Sequence, residues 1–399
     1  MLTDKQLSQY AEVLLWGLET ARKKPFKKND CVLLQYEAPA TRLAEILYGR
    51  ILDLGMHPVQ RMGLTFGMEK DFYKRSKGKQ LTFITPGDRE LYANLNGRIF
   101  VRAPASLTHL KEIDPARIGK VLVSRKPLRD ILDKREEQGR YSWTLCTFPT
   151  TELARQAKAS PQEYAQQIIR ACYLDRKDPV GEWKKVHKQA GIIKQWLSSL
   201  KVSYFHVESE HVDLKIAPGE KRQWKGISGH NIPSFEVFLS PDWHGTEGVY
   251  YANLPSFRSG NYVEKIRITF QKGSVVKMEA AKGEDFARKQ LSMDKGACRV
   301  GEFSLTDRRF SRIDRFMADT LFDENFGGEY GNCHVALGAS YTDTYKGNPA
   351  AMTGALKKKL GFNDSALHWD LVNTEDKTVT AHLASGRNVV IYEKGVFKY

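Results

Sequence analysis

The sequence lacks the short patterns that identify several large classes of enzyme. It contains no HExxH pair, no GxSxG turn and no GxGxxG loop. These absences exclude the usual helical zinc-protease site, the usual serine-hydrolase elbow and the dinucleotide fingerprint. No apolar run approaches the roughly 20 residues that cross a bilayer, and the start of the chain has no secretion-signal pattern. We therefore expect a soluble protein without a membrane partner.

Cysteine is also scarce. The five cysteines are odd in number, widely spaced and without any CxxC pair. They are Cys31, Cys146, Cys172, Cys298 and Cys333. This usage is typical of reduced thiols, and it predicts a cytoplasmic protein.

Acidic residues are outnumbered by basic ones. The chain has 62 Lys and Arg against 47 Asp and Glu, for a net charge of +15. The excess collects in patches such as "ARKKPFKK", which are not interleaved with aromatic residues in a stacking pattern and belong to no known nucleic-acid module. We interpret the patches as solvated surface and expect no nucleic-acid partner.

The 399 residues are enough for two domains. Residues 1–112 alternate helical and extended patterns, which predicts an N-terminal α/β domain of Rossmann-like shape. Residues 113–399 open with helices, including one at Leu128–Glu137, and then become rich in strand signals with hairpins at "QKG", "ASGR" and "EKG". They predict a larger α+β catalytic domain with a mostly antiparallel sheet.

Candidate metal ligands occur in the second part of the chain. His368 and Asp370 are two residues apart in "LHWDLV", so a strand would turn both to one face. Glu236 in "FEVF" and Glu302 in "RVGEFSLTD" lie among apolar residues, where an unpaired carboxylate would be costly to bury. Each of these has an ordinary explanation, a surface pair or the wet side of a strand.

The segment "LFDENFGGEYGNCHVALGASY" adds two ligands and a phenol in a glycine-rich connection. The combined inventory of hard and borderline ligands suits a pair of divalent cations. Its members are Glu236, Glu302, Glu324, His334, His368 and Asp370. Tyr341 follows His334 by seven residues, and its phenol is either a hydrogen-bond donor at such a site or a packing group.

Other histidines are weaker candidates. In "HVESEH" the odd spacing of His206 and His211 turns them to opposite faces of a strand, and "PDWHG" has the composition of a surface loop. The remaining histidines have no convergent partner that the sequence reveals. They are His57, His109, His187, His230 and His382.

The motifs together resemble one known family, the thermophilic-type metallo-aminopeptidases called aminopeptidase T and aminopeptidase S. The resemblance runs in order from "YAEVLLWGLETARKKPFKKNDCVLL" through "NIPSFEVFLSPD", "GEFSLTD", "TLFDEN" and "CHVALGASY" to "LHWDLV". By position, the six candidate ligands match the family's metal ligands and Tyr341 matches its catalytic tyrosine. The resemblance implies a homodimer that cleaves short peptides with a free amino terminus, using two divalent ions (Zn²⁺, Co²⁺, Mg²⁺ or Mn²⁺) per subunit.

One departure from the family pattern concerns the link between "LFDEN" and "CH". It is longer here, so either Glu324 or Glu329 could be the carboxylate that reaches the ions. Our hypothesis is a metal-dependent aminopeptidase with Glu302 as a bridging carboxylate and Tyr341 stabilising the oxyanion. The alternatives are a two-metal phosphoesterase and a non-catalytic, basic nucleic-acid-binding protein.

Overall fold

The structure is a computed structural model that describes residues 2–399. The helices within this range are α1 (Asp4–Thr20), α2 (Thr41–Asp53), α3 (Phe66–Arg75), α4 (Asp88–Asn94), α5 (Pro115–Glu137), α6 (Thr151–Gln156), α7 (Pro161–Ala171), α8 (Pro179–Ser199), α9 (Glu284–Leu291), α10 (Thr320–Asp323) and α11 (Gly354–Lys359). None of these helices is both long enough and apolar enough to span a lipid bilayer.

The strands are numbered in the same way. They are β1 (Cys31–Tyr36), β2 (His57–Met62), β3 (Gly97–Arg102), β4 (Ser142–Thr147), β5 (Val202–Ser209), β6 (Asp213–Ile216), β7 (Asn231–Ile232), β8 (Glu236–Leu239), β9 (Thr246–Ala252), β10 (Ser256–Arg258), β11 (Asn261–Gln271), β12 (Ser274–Lys282), β13 (Val300–Thr306), β14 (Asn332–Gly338), β15 (His368–Asn373), β16 (Lys377–Leu383), β17 (Asn388–Glu393) and β18 (Val396–Phe397).

Helix α5 is longer than the sequence predicted. We expected a helix only over Leu128–Glu137, but it begins at Pro115 and continues through Pro127. The start is fixed by Asp114, whose carboxylate accepts the backbone N–H of Ala116, and by Pro115, which suits the first helical position. The predicted start was wrong, and the helix accommodates Pro127 in its interior.

Three sheets organise residues 2–399. A five-stranded sheet has the order β2-β1-β3-β4-β7, and every pair in it is parallel. A nine-stranded sheet runs β10-β11-β9-β6-β5-β16-β17-β18 with β12 paired to β11, and its adjacent strands are antiparallel. A four-stranded antiparallel sheet has the order β15-β14-β13-β8. The predicted mixture of an α/β part and antiparallel sheet is confirmed, as are the three hairpins, while the Rossmann-like description stays a prediction.

The chain divides into two compact units. The first comprises the residues up to His187 with Ile227–Ser234 and Met317–Leu321, and the second comprises Lys188–Gly226, Phe235–Phe316 and Phe322–Tyr399. The domain boundary near residue 113 stays a prediction. Within the second unit, Phe303 on β13 packs against Phe205 on β5 at a ring-centroid distance of 6.0 Å. This contact joins the apolar face of the four-stranded sheet to the nine-stranded sheet and leaves the opposite face for polar side chains.

Candidate metal centre

Five of the six predicted ligands lie on the four-stranded sheet. Glu236 opens β8, Glu302 lies on β13, His334 on β14, and His368 and Asp370 on β15. Their strands are far apart in sequence but adjacent in the sheet. The predicted ligands are therefore gathered by strand pairing.

Register places these side chains on one face. Ala336 on β14 pairs with Glu302 on one side and with Asp370 on the other. Residues that pair directly across strands share a face, and so do residues two apart along a strand. His334 and His368 therefore share the face of this row. The intervening residues Phe303, Val335 and Leu371 are buried on the back of the sheet.

His334 lies at the middle of the carboxylates. Its Nε2 is 3.3 Å from Glu236 Oε2, 3.3 Å from Glu302 Oε1 and 3.8 Å from Asp370 Oδ1. Ser304 also donates its hydroxyl to Glu236 Oε2 at 3.2 Å. The ligand atoms of Glu236, Glu302 and His334 all lie within 4.8 Å of one another, which is close enough for a shared ion.

His368 forms the second half of the cluster. Its Nε2 lies 3.3 Å from Asp370 Oδ1 and 3.7 Å from Glu302 Oε2, while its Nδ1 donates to the carbonyl of Ala339 at 2.9 Å. That backbone bond fixes the tautomer with Nε2 facing the carboxylates. The two oxygens of Glu302 thus face two different imidazoles.

The electrostatics of the cluster follow from burial and crowding. Desolvation raises the pKa of Glu236 to about 8, with further repulsion from Glu302 and Asp370. Burial lowers the pKa of His334, but its carboxylate neighbours outweigh this and raise it to about 9, and the same balance raises the pKa of His368 to about 8. Burial acts to raise the pKa of Asp370, yet the imidazoles of His368 and His334 hold it below its usual range. The side chains retain protons that a divalent cation would displace.

Glu324 lies where the glycine-rich loop begins after α10, beside β13. It is buried, and its carbonyl accepts the hydroxyl of Thr306, the residue that pairs with Glu236. The next residue, Asn325, accepts the backbone N–H of Glu236 at 3.1 Å through its side chain. Glu329 is exposed. The loop therefore carries Glu324, and not Glu329, beside the start of β8.

The Tyr341 ring lies 4.8 Å from that of His368 and 6.0 Å from that of Phe238, measured between ring centroids. Its backbone is held by Ser240, whose hydroxyl accepts the Tyr341 N–H at 2.8 Å. The residue as a whole is 38% exposed. The Tyr341 backbone is therefore held in place, while its partly exposed ring packs beside His368.

Sequence reasoning missed several supporting residues. Ser304 could have been found, since it lies two positions after Glu302 on the same strand face. Arg258 donates to the carbonyl of His368 at 2.7 Å from a strand 110 positions earlier, which no local pattern reveals. Gly301 is required by a bulge in β13, because a Cβ there would lie 2.3 Å from the carbonyl oxygen of Ala339.

A second group of possible ligands is separate from this centre. Glu210, His211 and Glu375 bring ligand atoms together at the protein surface. Glu375 is engaged by the imidazole of His211 at 2.6 Å and by the hydroxyl of Ser209 at 2.6 Å. His206 pairs instead with Asp213, so the two histidines of "HVESEH" do not meet, as the spacing predicted.

Comparison with known proteins identifies the family. The sequence profile of the thermophilic metalloprotease (M29) family matches residues 3–397. The chain belongs to the M29 family.

Several relatives of the chain are named as aminopeptidases. The M29 chain is 29% identical to aminopeptidase T of Thermus aquaticus over 64% of its own length and 65% of that relative, just under two thirds. It is 26% identical to aminopeptidase AmpS of Bacillus subtilis over 75% of its length and 76% of that relative. The solved structure of wild-type AmpT from Thermus thermophilus covers the whole of both chains with a TM-score of 0.78 at 20% identity, which shows a shared fold.

Proposed function

We propose that the protein is a metal-dependent aminopeptidase that removes N-terminal residues from short peptides. The observation that supports this most strongly is the buried cluster of carboxylates around His334 Nε2 in a chain of the M29 family. The names of the relatives as aminopeptidases support the choice of substrate.

The donor set fits two divalent ions. Carboxylate and imidazole ligands accept Zn²⁺, Co²⁺, Mg²⁺ or Mn²⁺. The residues that would hold the ions are Glu236, Glu302, Glu324, His334, His368 and Asp370. The set contains four carboxylates and two imidazoles, so its buried negative charge is balanced best by cations. Glu302 would bridge, since its oxygens face His334 and His368 separately.

The chemistry divides between the ions and the chain. Bound divalent ions supply Lewis acidity and a water of lowered pKa. Tyr341 would donate its phenol to the oxyanion that forms at the scissile carbonyl. Asp370 and Ala339 keep the His368 ring in one orientation, so that the donors are placed before substrate arrives.

Several finer properties belong to the same proposal. A homodimer, a cytoplasmic location and an N-terminal Rossmann-like domain over residues 1–112 follow from the resemblance and the sequence pattern. Light scattering coupled to size-exclusion chromatography measures the oligomer directly, and a monomer at micromolar concentration would contradict the dimer.

The decisive experiment compares two substrates on one preparation. We expect hydrolysis of leucyl-p-nitroanilide in the presence of Co²⁺, Zn²⁺, Mg²⁺ or Mn²⁺, loss of activity with a chelator, and no cleavage of bis(p-nitrophenyl) phosphate. Glu302→Gln should lose the activity and bound metal. Cleavage of the phosphodiester alone would instead establish the phosphoesterase, and salt-sensitive binding of DNA or RNA without any metal requirement would favour the nucleic-acid-binding alternative.

A further inference from the structure

Three side chains outside the metal centre form a second hydrogen-bonded series. Ser228 Oγ lies 2.8 Å from His230 Nδ1, and His230 Nε2 lies 2.7 Å from Glu136 Oε1. Trp143 holds the glutamate by donating its indole N–H to Oε2 at 3.2 Å. A nucleophile, a base and an orienting carboxylate within hydrogen-bond reach form the arrangement that activates serine for acyl transfer. The sequence showed no partner for His230 because Glu136 is 94 positions away.

The hydrogen bonds fix where the protons lie. An ionised carboxylate only accepts, so the proton of neutral His230 is on Nε2 and is donated to Glu136. The lone pair on Nδ1 then accepts the hydroxyl proton of Ser228. The imidazole is used in the reverse sense of the serine-protease triad, in which Nδ1 faces the carboxylate, but the roles of the three groups are the same.

The turn that carries the serine is held from several directions. Thr144 donates its hydroxyl to the carbonyl of Gly229 at 2.8 Å, and His187 donates to the carbonyl of Ile227 at 2.7 Å. Gly229 has a φ of 91° and packs so closely that a Cβ would lie 2.3 Å from the carbonyl oxygen of Gly17. A turn fixed in this way holds Ser228 in one position before any substrate binds.

The site around Ser228 also has backbone N–H donors and is partly exposed to solvent. The backbone N–H groups of Ser228 and Gly229 have no acceptor within residues 2–399. Two neighbouring N–H groups are the kind of donor that stabilises a developing oxyanion. Ser228 is partly exposed, and the side chains of His230 and Glu136 are 17% and 29% exposed. A small ester can therefore reach the hydroxyl.

We propose that Ser228 is a catalytic nucleophile, separate from the metal centre, that takes the acyl group of small carboxylic esters. Ser228 Oγ bonds to the ester carbonyl carbon while its proton passes to His230 Nδ1. The carbon–oxygen bond to the alcohol breaks, and the alcohol leaves with that proton. Water then attacks the acyl-serine with His230 again taking and returning the proton, which releases the carboxylic acid. Water is the only co-reactant, and no metal ion takes part.

The test uses p-nitrophenyl acetate on the full-length, metal-loaded protein. We expect a burst of p-nitrophenol close to one equivalent per chain, and an acetyl group on Ser228 that peptide mass spectrometry locates. Ser228→Ala removes the burst while hydrolysis of leucyl-p-nitroanilide is unchanged. The matched control is Ser124→Ala, which removes a partly buried hydroxyl that contacts only a backbone carbonyl. It leaves the burst intact.

Two further variants separate catalysis from structure. In Glu136→Gln the single amide oxygen stays with Trp143 and the NH₂ group faces His230, which moves the imidazole proton to Nδ1. Acylation then slows on the order of 100-fold. In Ser228→Cys the thiol reacts with iodoacetamide faster than it does when Glu136→Gln is added. The absence of a burst, acetyl groups only on other residues, or an unchanged burst in Ser228→Ala would each overturn the proposal.

Discussion

The substitution Ala336→Val tests whether one face of the four-stranded sheet is the metal centre. Ala336 pairs with Glu302 on one side and Asp370 on the other, so its side chain lies between two predicted ligands. It is fully buried. Valine adds two methyl groups to this position while keeping a side chain that strands favour.

The structure sets the space for these methyl groups. His334 Nε2 is 3.3 Å from the nearest oxygen of Glu302 and 3.8 Å from that of Asp370, so these two oxygens are at most about 7 Å apart. A methyl group is about 4 Å across at van der Waals contact. The van der Waals radii of the two oxygens reduce the space between them further. A methyl group above Ala336 would therefore fill the volume that the ions need. Overpacking should also cost about 1–3 kcal/mol of stability.

The assay is metal content by elemental analysis, together with turnover and urea unfolding. We expect Ala336→Val to fold, to bind fewer than two ions and to lose most peptide hydrolysis. The control is Ala381→Val, a buried alanine on β16 that should lose similar stability but keep its metal. If Ala336→Val held two ions and turned over like the wild type, the placement of the ligands on this face would be wrong.

Further predictions concern the phenol, the loop, the ions and one lysine. Tyr341→Phe should lower kcat on the order of 100-fold with metal content unchanged, and an unaltered kcat would remove its role. Glu324→Gln should lower metal content, whereas Glu329→Gln should not; the reverse result would exchange their roles. Chelation should lower the unfolding free energy by roughly 4 kcal/mol if the ions are present at about 1,000 times Kd, as urea titration would show. Burial lowers the pKa of Lys194 from 10.5 to about 8. The unfolded chain therefore binds more protons between these pH values, and the stability of the wild type relative to Lys194→Met should rise with pH by up to roughly 3 kcal/mol. A flat difference would contradict this.

The sequence predicted some elements well for clear physical reasons. A capping box depends only on near neighbours in the chain, and Thr3 and Gln6 form one at the start of α1. The spacing of His368 and Asp370 placed both on one face, because alternation along a strand is a property of the backbone. The start of α5 was missed: the helix begins at Pro115, directly after its cap Asp114, and contains Pro127.

What the sequence determined by itself was the list of candidate ligands and the local geometry of each. The chemistry of a side chain and the face it takes on a strand depend only on residues that are close together in the sequence. Only the tertiary structure decided that Glu236 and Asp370, on the two edge strands of one sheet, reach the same imidazole, because strand order and register arise from pairing between distant segments. For the same reason, no local signal joined Glu136 to His230 and Ser228, which meet only after the chain has folded.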